Sequence, residues 1–323
     1  MRRLIALALT GAFLIAGCST IEPLEPAALN GAADFGIYVA LGTSLADGVE
    51  SSGSVDRHQV FSYAHLFARQ IGAANFDRQL IGGDGLSLDG TQALLRIVTL
   101  SPLVISSAGR TLGTTLNSSF TGDFHNLGVP GALVSDVVDT STYYAPARAN
   151  AHFEFVARHR GSIAQIVARL SPTFATFEYG SNEMIALSTR GIGAPYFDVP
   201  AYTFLLDAAL DAVQAAAPGV KLAIFNVPDP TLIPFSTAFP PVARDTLGGI
   251  AFLIGPGDTP IGTGGRVLLT AGSLLAQGHG FPTNTRSYLS GVLGTGQPLP
   301  DAVVLTAAEV TALKSAQAGY NSA

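Results

Sequence analysis

The stretch Tyr38-Val39-Ala40-Leu41-Gly42 constrains the fold more than any other part of the chain. Four apolar residues run without interruption into a glycine. So short a run, with no polar alternation, predicts a strand buried on both faces, as in a parallel sheet. Thr43-Ser44-Leu45-Ala46-Asp47-Gly48 follows at once. It sets Ser44 one or two residues past the strand, at the start of a helix, where open α/β sheets bind ligands. A serine there has its backbone N–H and hydroxyl at the positive end of a helix dipole. It can attack a carbonyl and hold the oxyanion that forms, or it can serve only as a helix N-cap.

Three further strand–turn units share this pattern. Phe124 to Gly128 reads as a short strand, followed by Val129-Pro130-Gly131 and a helix start at Val134. Gly128 at a strand end lets another group approach the backbone, through a substrate or simply in a turn. Phe174 to Tyr179 reads as a third strand and ends in Gly180-Ser181-Asn182. The Asn182 amide can donate toward the reaction of Ser44, although Gly-x-Asn also serves plain turns. Val220 to Val227 is a fourth strand. Apolar spacing predicts helices over 61–71, 152–170, 204–217 and from Leu305 to Asn321. Strands alternating with helices predict an α/β fold with a mostly parallel sheet.

The N-terminus is organised differently. Arg2 and Arg3 precede the uncharged apolar run Leu4 to Ala16, too short to span a membrane and suited to export. Leu14-Ile15-Ala16-Gly17-Cys18 resembles the bacterial lipobox, which implies a signal peptide over 1–18 and acylation of Cys18, the only cysteine. Ser19 directly after it implies, by the same resemblance, retention in the outer membrane, facing the periplasm or the exterior. Residues 19–33, rich in proline and alanine without period, are expected to tether the anchor to a domain over 34–323. Two irregular insertions interrupt that domain, near 79–123 and 231–300. The second can cover the site and bind an acyl chain, or merely pack.

Composition narrows the partners. Charged residues are 12% of the chain and the formal net charge is −6, against a usual charged share of about 25%. With no basic run, nucleic acid is excluded as a partner. No P-loop, no Gly-x-Gly-x-x-Gly after a strand and no metal-ligand spacing occurs, so no cofactor is expected. Gly-x-Ser-x-Gly is absent too.

Taken in order, Gly42-Thr43-Ser44-Leu45, Gly128 within Asn126-Leu127-Gly128-Val129-Pro130-Gly131, and Gly180-Ser181-Asn182 resemble three sequence blocks of the SGNH (GDSL-type) hydrolases. The resemblance runs from about Ile37 onward. It implies a flavodoxin-like three-layer α/β/α fold and an esterase or lipase acting on ester or lipid substrates. It also implies Ser44 as nucleophile, with the Ser44 and Gly128 amides and the Asn182 side chain as oxyanion hole. Two departures stand out. Thr43 replaces the family's aspartate. None of His58, His65, His125, His152, His159 and His279 follows an aspartate by three residues, so the family's Asp-x-x-His block is not found. The helix from Leu305 reaches the last residues without a closing glycine. The expectation is therefore a chain lacking its C-terminal strand, catalytic loop and helix, and inactive as it stands. A rival expectation is a non-catalytic surface lipoprotein of the same fold that binds lipid or glycan; carbohydrate deacetylation is a third.

Overall fold

The computed structural model describes residues 33–100, 103–140, 150–190 and 197–323. Cys18, the leader and nearly all of the tether lie outside the described residues. Asp34–Ala323 form one compact unit.

Four parallel strands make the main sheet: β1 (Tyr38–Gly42), β2 (Asn126–Gly128), β3 (Phe174–Phe177) and β4 (Lys221–Ile224). Their order is β2-β1-β3-β4. Register aligns Gly42 with Gly128 and Leu41 with Phe177, so three strands end almost level. β1 is wholly buried, as its unbroken apolar run requires. Its alternate side chains enter different cores, because successive residues of a strand face opposite sides. Val39 and Leu41 join Ala175 and Phe177 of β3 in the larger core. Helices α4 (Ile163–Leu170), α6 (Val199–Ala216) and α7 (Ala307–Tyr320) cover that face. Tyr38 and Ala40 pack instead with Ala46 of α1 (Ser44–Asp47) and with Ala64 and Ala68 of α2 (Tyr63–Gln70). Helices thus lie on both faces of the sheet.

The helix boundaries correct the sequence reading in several places. The single helix expected over 152–170 is two, α3 (Ala151–Val156) and α4. Arg158 and His159 sit at φ of 48° and 54° between them, a left-handed backbone that no helix contains. α4 restarts with Ser162, whose hydroxyl accepts from Gln165 N while Gln165 reaches back to Ser162 N, a reciprocal cap. α6 begins earlier than expected, at Val199, because the Asp198 carboxylate accepts from Ala201 N at 2.8 Å and Pro200 suits the first turn. The helix expected from Val134 is a single 3₁₀ turn, Val134–Val137. α7 opens on a Thr306–Glu309 capping box and ends at Tyr320. Asn321 closes it: Oδ1 accepts from Val227 N and Nδ2 donates to Val227 O, tying the helix end to the chain just past β4.

The two insertions also take shape. Within 79–123, Arg96–Leu100 pairs antiparallel with Leu103–Ser106. The segment 231–300 carries its own hairpin, Val242–Arg244 with Ile250–Phe252. It contributes most of a separate small core around Phe239, Leu253, Leu275 and Phe281.

Candidate active site

At the carboxyl edge of the sheet, β1 turns into α1 through Thr43. Gly42 permits the turn, since a Cβ there would lie 2.9 Å from both Ala46 Cβ and Glu178 Oε2. Glu178, one residue past β3, is buried beneath this turn. Its carboxylate accepts from Thr43 N and Thr43 Oγ1, each at 2.9 Å. Thr43, which stands where the blocks it was compared with have an aspartate, therefore anchors the turn before Ser44 to a buried acid. Burial lifts the Glu178 pKa to about 7, although the Thr43 and Ala46 hydrogen bonds oppose the rise.

Ser44 opens the single-turn helix α1 half-buried, and its hydroxyl and its N–H have no hydrogen-bond partner among the described residues. It lines a cavity of about 400 Å³ together with Leu45, Val49, Phe61, Tyr63 and Phe225, and with Glu50 and His58 at its polar side. No part of 231–300 lines that cavity. Of the two roles open for this insertion, acyl site or packing, the described structure shows packing around a core of its own.

The other end of α1 is sealed. Asp47 is fully buried and accepts hydrogen bonds from Ser54 Oγ, Gln59 Nε2 and Gln79 Nε2. Burial raises its pKa, against the pull of nearby His152 and of Ser54. His152 is buried as well, with both ring nitrogens unpartnered.

Gly128 does not take the oxyanion role that the resemblance implies, but the structural role that the residues alone also allowed. Its Cα faces α1, and a Cβ would sit 2.6 Å from Asp47 N and 2.7 Å from Ala46 Cβ. Its N–H donates to Asn126 Oδ1 at 2.9 Å, while Asn126 Nδ2 donates to Ala46 O. The glycine seats the helix, and its amide is committed inside the protein rather than offered to an oxyanion. On the same loop the Gly131 N–H has no partner among the described residues. Gly131 is in the left-handed region at φ 81°.

Asn182 stands in the first turn of α5 (Ser181–Arg190), after Gly180 at φ 106°. Only glycine fits at 180, since a Cβ would lie 2.5 Å from Val227 Cγ2 and 2.6 Å from Tyr202 Oη. Asn182 Nδ2 donates to Ala132 O at 2.7 Å, and Glu183 Oε1 accepts from Val134 N at 2.7 Å. These two bonds stitch α5 to the loop after β2. Glu183 is buried, and that burial lifts its pKa to about 7. The structure thus joins Asn182 to the Gly131 loop and Gly128 to the helix of Ser44, while no hydrogen bond links Ser44 to either.

No histidine hydrogen-bonds the Ser44 hydroxyl among the described residues. His125 Nδ1 accepts from Asp77 N, and His159 pairs with Glu154 on the surface. Sequence reasoning missed Glu178, and the signal for it was an acid closing an apolar strand. It also missed the shared cavity of Ser44, Glu50 and His58, for which no spacing rule exists. Among the described residues, no group of three or more His, Cys, Asp or Glu is placed to hold a metal, and no helix is long and apolar enough to cross a membrane. Compared with protein-family models, curated proteins and solved structures, the chain matches none.

Proposed function

We propose that this chain is an exported, lipid-anchored serine hydrolase of the SGNH type that cleaves carboxylic esters through an acyl-serine intermediate. The observation that carries the reading is Ser44. It is a partly exposed serine with a free N–H, at the carboxyl edge of a parallel sheet, opening on an apolar cavity. The strand order β2-β1-β3-β4 agrees with the first four strands of the flavodoxin-like order, which supports the finer fold assignment. In this reading the Ser44 Oγ attacks the ester carbonyl. The Ser44 N–H, the Asn182 amide and the Gly131 N–H receive the oxyanion, and Leu45, Val49, Phe61 and Phe225 take an apolar acyl group. A cavity of this size falls within the usual range for small-molecule sites, about 300–1,000 Å³.

The test is covalent labelling of the purified protein with a fluorophosphonate, followed by peptide mass spectrometry, beside hydrolysis of p-nitrophenyl butyrate. Label on Ser44, lost in Ser44→Ala together with the activity, is the expected result. Hydrolysis that survives Ser44→Ala removes the reading. The rival, a lipid- or glycan-binding lipoprotein, draws on the lack of a hydrogen bond between Ser44 and a histidine among the described residues. It expects ligand binding without turnover or label. For the anchor, Cys18→Ala should release soluble protein, since stable anchoring takes more than one acyl chain. Membrane partition that persists after a carbonate wash would contradict acylation at Cys18.

A further inference from the structure

We propose that His58, with Nδ1 set beside the Glu50 carboxylate, is the general base for Ser44, so that one short stretch of chain, 44–58, carries a hydroxyl–imidazole–carboxylate set. The inference rests on Ser44 being the nucleophile, as proposed above. Three observations carry it. First, Ser44, Glu50 and His58 all line the same cavity of about 400 Å³.

Second, the imidazole is held from one side. His58 Nδ1 lies 3.1 Å from Glu50 Oε2, within ion-pair reach though off the hydrogen-bond direction. That nitrogen is shut away from solvent, whereas Nε2 is not sealed and has no hydrogen-bond partner among the described residues. A carboxylate beside one ring nitrogen and a second nitrogen left open, on a histidine that lines one cavity with a serine, is the arrangement a base needs. Apo structures often leave the serine–base bond unmade until substrate is seated.

Third, the backbone brings the two groups together. Gly48 N and Val49 N both donate to Ser44 O, at 2.9 and 3.0 Å, which folds the chain back beneath α1. Gly48, at φ 91°, packs on the short helix Asp56–Gln59 that bears His58. A Cβ at 48 would stand 2.9 Å from Gln59 Cα. The close approach of that helix therefore depends on glycine. Of the other histidines, His125 and His159 lie beside Asp77 and Glu154, and His152 is enclosed near Asp47.

In the reaction, Ser44 Oγ bonds to the carbonyl carbon as its proton passes to His58 Nε2. The tetrahedral oxyanion collapses, the ester C–O bond breaks, and the alcohol leaves with the proton from His58. Water then gives a proton to His58 and its oxygen to the acyl carbon. Release of the acid returns the proton to Ser44.

The experiment uses the full chain and p-nitrophenyl butyrate. His58→Gly should lower kcat/KM by about 10²–10⁴-fold and slow fluorophosphonate labelling of Ser44. Added imidazole should restore part of the rate, which a merely structural loss would not allow. His58→Gln, which keeps the side-chain bulk, should show the same loss with an unchanged Tm, and without rescue because its side chain fills the space. Glu50→Gln should cost about tenfold, and His159→Gln, on the surface, nothing. Unaltered rates in both His58 variants, with Ser44 still labelled in each, would overturn this inference and leave Ser44 standing. A slow His58→Gly that imidazole does not restore overturns it as well. A wild-type protein with no label on Ser44 and no hydrolysis overturns both readings together.

Discussion

The two ends of helix α1 face different worlds. Ser44, at its start, looks into an open cavity with its N–H and hydroxyl unpartnered, while Asp47, at its end, is buried under three donors. Both are polar residues on one helical turn. A single turn can thus present a hydroxyl outward because its other polar residue is used to fasten it inward. Unmade hydrogen bonds are affordable only at the wet end; at the dry end each would cost about 1–3 kcal/mol.

Substitutions can break this division of labour. The largest effect should come from Ser44→Ala, which lowers kcat by at least about 10³-fold while urea unfolding stays within about 0.5 kcal/mol of wild type. A stability loss of several kcal/mol with full activity would reverse the roles of the two ends. Asn182→Ala should lower kcat by about 10²–10³-fold, or about 3–4 kcal/mol, with KM little changed, because an oxyanion donor acts in the transition state. An unaltered kcat removes Asn182 from the site.

Asp47→Ala strands the donors of Ser54, Gln59 and Gln79, and should cost about 3 kcal/mol in urea unfolding. Asp47→Asn, which keeps one acceptor, should cost less. If neither variant is destabilised, the buried end is not a fastening.

A smaller effect depends on pH. Glu178 and Glu183 are lifted to about 7 by burial, from the ordinary glutamate value of 4.5. Between those values the folded chain holds protons that the unfolded chain has released. The share of stability that these two groups contribute is therefore full below about 4.5 and falls as pH rises toward 7. Glu178→Gln, neutral throughout, should flatten its share of that fall, of order 2 kcal/mol, as read from urea midpoints at pH 5 and pH 7.5. An unchanged slope would mean that the Thr43 hydrogen bonds outweigh burial. Smallest of all, Phe225→Ala should reduce the preference for octanoate over acetate esters by several-fold, about 1 kcal/mol for the lost apolar contact.

Much of the frame was legible because it is local. The run Tyr38–Gly42 is apolar at every position and ends on a glycine, a pattern that suits a short strand covered on both faces. The Thr306–Glu309 pair announced the start of α7 for a similar reason, since a capping box is written in four consecutive residues. The break between α3 and α4 was not legible. Val156 and Ile163 stand two helical turns apart, so the apolar period runs straight across a loop that the left-handed Arg158 and His159 interrupt.

By itself, then, the sequence determined a parallel α/β sheet with Ser44, Gly128 and Asn182 at strand ends, because strand burial and turn chemistry are properties of short stretches. Tertiary structure alone decided what each residue does there. It turned the Gly128 amide onto Asn126, set Glu178 under Thr43, gave 231–300 a core of its own, and enclosed Ser44, Glu50 and His58 in one cavity. Hydrogen-bond direction and burial depend on atoms brought together from distant parts of the chain, and no local spacing encodes them.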